Sequence, residues 1–345
     1  MTTRDNSGLR LSVLNPGGRD QEQHFDKAAV PDSAPHAPVN FHAYAACTGG
    51  SFFRDTDRAI AAGRPVLLLM KPTFRESERA LAELRAAGLK VVVSLKETGL
   101  HQIADQLQEH AKMQRIFRII TAADGYLAPT PEAAEIVRTM RQNPETVAFI
   151  PTPYPLPDPE WDFSREVEHR HGIFVGTREF KILSRNHAAA LLAARQMSDY
   201  TGARVTVYNS ERRKGERLLA DFGFVPNRLR VLKEGVSYAE YLRVMAEHKL
   251  VFELDTSFVP GQVAGDALLC RIPCVGGNGT VDRLGHPTTC GVGRSTAELI
   301  EIAQRLLCDA EFYGETVAAS QQAAMEHLSF NGVAAELERF FAQLP

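Results

Sequence analysis

The sequence predicts an α/β protein with two domains, each a parallel sheet covered by helices on both faces. Short apolar segments without alternation recur along the chain with helical segments between them, a pattern typical of strands buried on both sides. The pattern stops at 151–159, where proline occupies every second position, and then starts again. The length of 345 residues also suits two domains of about 150 residues each.

The first half of the chain is predicted to open with a strand and a long loop. Residues 15–40 are rich in proline and glycine, which favours loop structure, and regular alternation follows. Thr130 and Pro131 mark a helix start, because threonine caps helices and proline fits the first helical position. The predicted strands are 9–14, 39–45, 65–70, 90–95, 125–128 and 147–150, and the predicted helices are 53–62, 76–87, 102–122 (one helix or two) and 131–141.

The second half repeats this architecture without repeating the sequence. Its predicted strands are 173–175, 204–208, 229–232, 250–254 and 274–275, and its predicted helices are 186–201, 211–222, 238–247 and 262–269, with closing helices from 296 onward. Alternate prolines exclude both a helix interior and a central strand, so 151–159 indicates a linker. Two Rossmann-like domains would then face each other across a cleft, and ligands of such sheets bind at the carboxyl ends of the strands.

The composition excludes several classes of protein. A formal net charge of -3 gives no field for holding a nucleic-acid backbone, so general nucleic-acid binding is not expected. No segment reaches the roughly 20 apolar residues of a membrane span, and the polar start lacks the apolar core of a signal peptide. We therefore expect a cytoplasmic protein. Its five cysteines are an odd number without a Cys-x-x-Cys pair, which favours reduced thiols and gives no reason to expect a metal.

A glycine and three basic residues follow the predicted strand 173–175. Gly176 allows a ligand to approach the backbone closely. Arg178, Lys181 and Arg185 come next, where they can hold a diphosphate together with amide donors at the helix start. A solvent-exposed basic helix start is the alternative interpretation.

An acidic and glycine-rich segment follows the strand 250–254. Asp255 comes directly after that strand, Gly261 opens a helix of small residues, and Asp266 lies within the helix. A phosphate or ribose can lie against such a helix start, with an acidic side chain accepting hydrogen bonds from the ribose hydroxyls. Close packing of the helix on the sheet, with Asp266 facing solvent, explains the same residues equally well.

The stretch 266–275, Asp-Ala-Leu-Leu-Cys-Arg-Ile-Pro-Cys-Val, resembles the end of the donor-site signature of GT-B glycosyltransferases, particularly the family-4-like group. Segments 123–130, 147–151 and 174–176 are similar to further landmarks of that family and stand in the same order. The resemblance implies a GT-B fold, a nucleotide-diphosphate sugar held by the C-terminal domain, and an acceptor on the N-terminal domain. It implies no metal or other cofactor.

The resemblance also assigns donor-binding residues, with one marked departure. Asp266 takes the place of the signature's second glutamate, the ribose ligand. Phe258 stands where the family has its first glutamate, which normally contacts the sugar, and Asp255 is a candidate to substitute for that acid. Gly261, Gln262 and Lys233 complete the predicted substrate-binding set.

The arginine that follows the glycine in this family is displaced, since Thr177 comes after Gly176. The resemblance therefore leaves two options for the cation that neutralises the diphosphate. One is Arg178, and the other is Arg185 together with Lys181.

The resemblance gives the N-terminal domain two candidate regions. Glu97 and His101 follow the strand 90–95, where such enzymes carry a histidine that faces the sugar, although a solvent-facing helix cap also explains His101. The turn 47–51, Cys-Thr-Gly-Gly-Ser, is similar to the family's glycine-rich turn after an early strand. Gly49 and Gly50 are therefore predicted to contact the substrate.

The linker and the resemblance together divide the chain into four predicted segments. We expect an acceptor-side domain over 1–155, a linker over 156–172, a nucleotide-sugar domain over 173–320, and a C-terminal helix over 321–345 that crosses back to the first domain.

The sequence thus predicts a metal-independent glycosyltransferase that uses a nucleotide-diphosphate sugar and, like the family-4-like group, retains the anomeric configuration. Its acceptor is open among carbohydrates, lipid-linked compounds and small molecules, and the basic segment 211–217 leaves a peripheral membrane contact open. Two alternatives remain. Loss of an acid at Phe258 motivates a non-catalytic or weakly catalytic partner subunit that binds a nucleotide or sugar, and an epimerase acting on a sugar nucleotide shares the fold.

Overall fold

The computed structural model describes residues 8–26, 30–96, 99–233 and 235–345. The chain divides into two units. Unit 1 contains the chain up to Pro155 together with Ser329–Pro345, and unit 2 contains Leu156–Leu328, so the segment 156–172 is counted with unit 2. Within the described residues, no helix is long and apolar enough to cross a membrane.

Unit 1 is built on a single sheet. Its strands are β1 (Ser12–Leu14), β2 (Gln23–His24), β3 (Ser51–Phe53), β4 (Val66–Met70), β5 (Val91–Leu95), β6 (Gly125–Ala128) and β7 (Val147–Phe149). The helices between them are α1 (Asn40–Cys47), α2 (Thr56–Ala61), α3 (Arg75–Ala86), α4 (Leu100–Gln108), α5 (His110–Ala122) and α6 (Pro131–Met140). The order is β2-β3-β1-β4-β5-β6-β7, in which β2 pairs antiparallel with β3 and the other neighbours pair in parallel.

Unit 2 has a second, fully parallel sheet. Its strands are β8 (Ile173–Val175), β9 (Val205–Tyr208), β10 (Leu229–Leu232), β11 (Leu250–Glu253) and β12 (Cys274–Gly276). Its helices are α7 (His187–Thr201), α8 (Arg212–Asp221), α9 (Tyr238–Met245), α10 (Gln262–Leu269), α11 (Thr280–Gly285), α12 (Thr296–Cys308) and α13 (Ala310–Leu328). The strand order is β10-β9-β8-β11-β12. The last helix of the chain, α14 (Phe330–Gln343), lies in unit 1.

Helices cover both faces of each sheet, which explains why the strands are apolar without alternation. In unit 1, Leu69 packs in a cluster with α1 and α14, whereas Leu68 packs on the opposite face with α3. In unit 2, Val175 packs with α7 and α12. Its neighbour Phe174 faces the other way, and its ring meets Tyr241 of α9 edge-on at a centroid distance of 5.7 Å.

The predicted strand over 39–45 is wrong, because this segment forms α1. A short apolar run is shared by buried strands and buried helices, and periodicity alone does not separate them. Three alanines, which have the highest helix propensity, and packing on β1 and β3 favour the helix. The predicted helix over 53–62 is wrong at its start, since β3 ends at Phe53 and α2 begins after the side-chain cap of Asp55. Most other predicted elements are confirmed, with shifted ends; β2, β3 and α11 were not predicted.

The glycine turn 47–51 consequently ends a helix and leads into β3, at the amino edge of the sheet. Gly49 has a φ of 59°, and the N–H of Gly50 donates to the carbonyl oxygen of Ala45 at 2.8 Å, as in a helix C-cap. The expectation that Gly49 and Gly50 contact substrate rested on a preceding strand; that segment is a helix, so the contact loses this support and stays a prediction. Ligands of parallel sheets bind at the opposite, carboxyl edge.

Replacing Gly50 by alanine should destabilise unit 1. A Cβ at this position would lie 2.0 Å from the carbonyl oxygen of Leu11, so the backbone of β3 would have to move. We expect the free energy of unfolding to fall by about 3 kcal/mol, measured by calorimetry.

Gly314→Ala is the matched control. Gly314 is exposed on α13, and a Cβ there would meet no neighbouring group within 4 Å, so alanine should raise the stability by about 0.5 to 1 kcal/mol through helix propensity. A Gly50→Ala variant that is as stable as the wild type would contradict the packing argument.

Candidate functional site

The strand order of unit 2 reverses between β8 and β11. The chain runs from β8 through β9 to β10 on one side of the sheet and then places β11 and β12 on the other side. The loops that leave β8 and β11 therefore diverge, and open α/β sheets bind ligands in the crevice that this creates at the carboxyl ends of the strands. The relevant segments are 176–186, after β8, and 254–261, after β11.

The first of these loops begins at a glycine that the packing requires. A Cβ on Gly176 would lie 2.7 Å from Cγ1 of Val263 and 2.8 Å from Oε2 of Glu253. Thr177 follows, with its hydroxyl 2.9 Å from Nδ1 of His187 at the start of α7. Burial lowers the pKa of His187 to about 4, so this buried contact is made by a neutral imidazole.

Two of the predicted basic residues are accessible in this loop. The guanidinium of Arg178 lies 5.9 Å from the ring centre of Tyr208, donates to Glu179 at 3.1 Å, and leaves 52% of the side chain exposed. Lys181 is exposed as well. The backbone beneath them is held by Glu211, whose Oε1 accepts from the N–H groups of Phe180 and Lys181 at 3.0 and 3.3 Å. An anion at the end of β8 can therefore meet two cations on a fixed backbone.

The third basic residue links the two loops. Arg185 forms an ion pair with Asp255, whose side chain is 5% exposed and whose Oδ1 also accepts from the N–H of Ser257 at 2.7 Å. The hydroxyls of Ser184 and Ser257 lie 2.8 Å apart and add a second link. The positive charge of Arg185 is thus partly neutralised by Asp255, and the carboxylate of Asp255 is engaged in this ion pair.

Two buried carboxyl groups support the glycine turns around the crevice. Glu253 at the end of β11 and Asp282 on α11 are hydrogen-bonded to each other, and burial, followed by their mutual repulsion, raises the pKa of Glu253 well above its ordinary value. Burial also raises the pKa of Asp282. A Cβ on Gly277 would lie 2.3 Å from Oδ1 of Asp282 and 2.6 Å from Oε1 of Glu253, and a Cβ on Gly261 would lie 2.8 Å from Oδ2 of Asp282.

These two carboxyl groups and the thiol of Cys274 lie close enough together to be considered as metal ligands. Cys274 Sγ is 4.0 Å from Glu253 and 3.9 Å from Asp282, and all three residues are buried. A proton shared between the carboxyl groups accounts for the cluster, since both pKa values are raised and backbone closes around the oxygens. We therefore interpret the cluster as the support of the turns at Gly261 and Gly277.

Asp266, the predicted ribose ligand, is 1% exposed. The hydroxyl of Tyr238 on α9 donates to its Oδ1 at 2.5 Å, and burial raises the pKa of Asp266 to about 7. The hydrogen bond from Tyr238 and the charge of Arg178 act in the opposite direction. In the described state the carboxyl group is satisfied within unit 2, and its contact with a ribose stays a prediction.

No protein-family model and no curated protein matches this chain. Solved structures match most of it. The Anabaena protein HepE, in complex with UDP, superposes with a TM-score of 0.61 at 13% identity over 84% of this chain and 82% of HepE. Sucrose-phosphate synthase from Thermosynechococcus elongatus gives 0.61 at 14% identity over 97% of this chain and 98% of that one. A UDP-forming α,α-trehalose-phosphate synthase from Burkholderia xenovorans gives 0.61 at 8% identity over 97% and 99%.

The chain has the GT-B fold. The predicted pair of Rossmann-like domains is confirmed by this likeness and by the two parallel sheets. HepE has also been solved in complex with UDP-glucose. At identities of 8% to 14%, the likeness concerns the fold and leaves the chemistry to the residues of this chain.

The remaining predicted residues of this GT-B protein are dispersed. Lys233 follows the edge strand β10 and is paired with Glu216 at 3.3 Å, two strands away from β8. Phe258 has a φ of 50° and its N–H donates to Asn278, with the guanidinium of Arg283 5.7 Å from its ring centre. Gln262 is half-buried in the first turn of α10.

In unit 1, His101 lies half-buried in the first turn of α4, beyond the carboxyl end of β5. Glu97 lies outside the described residues. A second glycine turn, 15–18, was not among the predicted site residues. It follows β1 at the carboxyl edge, where the order of unit 1 reverses between β1 and β4. An Asn-Pro-Gly-Gly motif directly after the first predicted strand was the available signal.

Asp266→Asn should remove part of the pH dependence of stability. The folded protein keeps a proton on Asp266 up to about pH 7, whereas an unfolded aspartate releases it near pH 4, so the wild type loses stability as pH rises between these values. An amide keeps the acceptor for Tyr238 and does not ionise. The free energy of unfolding of the variant should exceed that of the wild type at pH 8 by up to roughly 4 kcal/mol and match it near pH 4.

The control for this comparison is Glu326→Gln, which changes an exposed carboxylate on α13. Urea titrations from pH 4 to pH 8 measure the free energy of unfolding of all three proteins. Parallel curves for the wild type and Asp266→Asn would show that the pKa of Asp266 is the same in the folded and unfolded states and would refute the prediction.

Proposed function

We propose that this protein is a glycosyltransferase that takes a sugar from a nucleoside-diphosphate sugar bound by unit 2. The observation that carries the proposal is the crevice at β8 and β11, where Gly176 is followed by the accessible cations Arg178 and Lys181. A diphosphate needs close approach to backbone and positive charge, and this position offers both. The GT-B fold and the UDP and UDP-glucose complexes of HepE support the same choice.

The chemical task of this site is to stabilise negative charge on the departing diphosphate. Preorganised cations lower the barrier of such a reaction because the charge develops at a fixed place. In our proposal Arg178 and Lys181 contact the diphosphate, and Arg185 exchanges part of its pairing with Asp255 for a phosphate oxygen. Amide groups at the start of α10, next to Gly261, add a helix dipole of the right sign.

The proposal includes three further expectations that the resemblance supplied. Transfer proceeds with retention of the anomeric configuration, and the cations of this chain supply the countercharge without a resident metal. Unit 1 binds the acceptor. Proton NMR of the product's anomeric coupling tests retention, and activity after chelation with EDTA tests metal independence.

A second candidate is a protein that binds a nucleotide sugar without transferring the sugar. Two observations favour it: Phe258 replaces an acid that contacts the sugar in the family the sequence resembles, and Asp266 is hydrogen-bonded to Tyr238 instead of being open. Donor turnover with and without acceptors separates the candidates. Binding of a donor without any turnover favours this one, and isomerisation of the donor without an acceptor would instead indicate an epimerase.

Arg178→Gln should weaken binding of UDP-glucose. Loss of a charged hydrogen bond to the diphosphate corresponds to about 1.5 to 3 kcal/mol, or roughly ten- to a hundred-fold in Kd. Isothermal titration calorimetry gives the affinity. Screening of UDP-, GDP- and ADP-glucose by thermal shift comes first, since a ligand at a hundred times its Kd stabilises the folded state by about 2.7 kcal/mol.

Arg217→Gln serves as the matched control, because Arg217 is exposed on α8 and has no part in the proposed site. It should bind as the wild type does. If Arg178→Gln binds as tightly as Arg217→Gln, the proposed diphosphate site is wrong. If none of the three donors binds the wild type, the proposed function itself fails.

A further inference from the structure

Two polar side chains face the same side of the sheet at the carboxyl edge of unit 1. Leu69 of β4 is paired with Ser94 of β5, and Leu68 is paired with Leu14, so Asn15 comes to lie beside Leu69 on the other flank. Paired neighbours in a sheet point to the same face. Because Leu69 belongs to the cluster under α1 and α14, Asn15 and Ser94 face these helices too.

Both side chains are buried, and both have an atom without a hydrogen bond. Asn15 is 1% exposed and Ser94 is 0% exposed. Oδ1 of Asn15 and Oγ of Ser94 find no partner within the described part of the chain. Native proteins leave few buried polar atoms in this condition, because each costs about 1 to 3 kcal/mol.

His42, in the first turn of α1, supplies a third such atom. Its Nε2 is also buried and without a partner among the described residues. The imidazole stacks on His36 at 4.3 Å and lies 4.1 Å from the ring of Phe52. Phe52 pairs with Val13 of β1, two residues before Asn15, which locates the imidazole over the same end of the sheet.

The charges near the imidazole agree with this location. Burial, followed by the charge of His36, lowers the pKa of His42 to about 4, Lys96 lowers it further, and Asp20 raises it. Lys96 lies two residues after Ser94, and Asp20 accepts from Nδ2 of Asn15 at 3.5 Å. The charges that act on His42 thus belong to a residue hydrogen-bonded to Asn15 and to a residue two positions after Ser94, and its ring is neutral at physiological pH.

The surrounding loops hold these groups in place. The side-chain oxygen of Gln23 accepts from the N–H of His36 at 2.8 Å, and its amide donates back to the carbonyl of His36 at 3.3 Å, which ties the segment before α1 to β2. A Cβ on Gly18 would lie 2.6 Å from Nδ2 of Asn15, so the glycine turn packs directly on this side chain. Since Nδ2 is directed to Asp20, Oδ1 is left for another donor.

We propose that Asn15, Ser94 and His42 form a binding site for a hydroxyl-bearing ligand, a sugar or a polyol. A hydroxyl both donates and accepts, so it can donate to Oδ1 of Asn15, pair with Oγ of Ser94 and pair with Nε2 of the neutral His42. An anionic group at this point would face the carboxylate of Asp20 without a charged partner in the triad. Identifying the ligand as the sugar acceptor rests on the proposed function; the binding site itself does not.

The test uses the full chain labelled with nitrogen-15 in histidine. D-glucose, D-fructose and glycerol are titrated separately, and the ring nitrogens of His42 are followed by long-range proton–nitrogen NMR. We expect a saturable shift with at least one of the three. Ser94→Ala should weaken that binding at least about ten-fold and should leave the unliganded protein as stable as the wild type or more so, because it removes an unpaired hydroxyl.

Ser77→Ala is the matched control. Ser77 is equally buried, but its hydroxyl donates to the carbonyl of Leu69 at 3.1 Å and accepts from the N–H of Lys71, so alanine should lower stability and leave ligand binding intact. No saturable shift with any probe, or equal binding by Ser94→Ala and wild type, would overturn the inference and indicate that the three atoms are satisfied by water. UDP-glucose titrations on the same samples report on unit 2, so failure of the donor site and failure of this site are seen separately.

Discussion

When helices cover both faces of a parallel sheet, the polar groups that can contact a ligand lie at the edge where the strands end. Both sheets of this protein obey that constraint. Each sheet packs against apolar clusters, and the residues of interest come within two residues of a strand's carboxyl end: Asn15 after β1, Gly176 after β8, Glu253 and Asp255 at the end of β11. The reversal of strand order then selects the gap between β1 and β4 in unit 1 and between β8 and β11 in unit 2.

The buried carboxyl groups of unit 2 are paired within the chain, although Nε of Arg185 and Oγ1 of Thr280 have no partner among the described residues. In unit 2 the carboxyl groups of Glu253 and Asp282 bond to each other, and Asp266 bonds to Tyr238, so the glycine turns pack around groups that are already paired. In unit 1 the corresponding edge keeps unpaired atoms under α1, as at Asn15. A site with paired groups is rigid and presents its cations outward, whereas a site with unpaired groups has hydrogen bonds to give to a ligand. The paired carboxyl groups of unit 2 and the unpaired neutral atoms of unit 1 agree with the charged donor proposed for unit 2 and the uncharged, hydroxylated acceptor proposed for unit 1.

Individual errors in the prediction have individual physical causes. A strand was predicted over 39–45, where the structure has a helix, because a short run of apolar residues is too short for its periodicity to distinguish a strand from a helix. That error displaced the glycine turn: Gly49 and Gly50 end a helix, and the turn at the carboxyl edge is the one at Gly17. Arg185, a predicted partner of the diphosphate, pairs with Asp255, 70 residues further along the chain.

Local sequence patterns are enough to predict the parallel architecture, the second α/β unit after the alternating prolines, and the strand ends near which the candidate site residues lie. These depend on local properties: apolar runs, the fixed φ of proline and the missing side chain of glycine. The tertiary structure determines which residues at these strand ends already have a hydrogen-bond or ion-pair partner within the chain. Asp266 is satisfied by Tyr238, 28 positions away, and the row that joins Asn15 to Ser94 exists only because β4 lies between β1 and β5. Side-chain pairing and strand order bring distant parts of the chain together, and a local sequence pattern does not reveal these contacts.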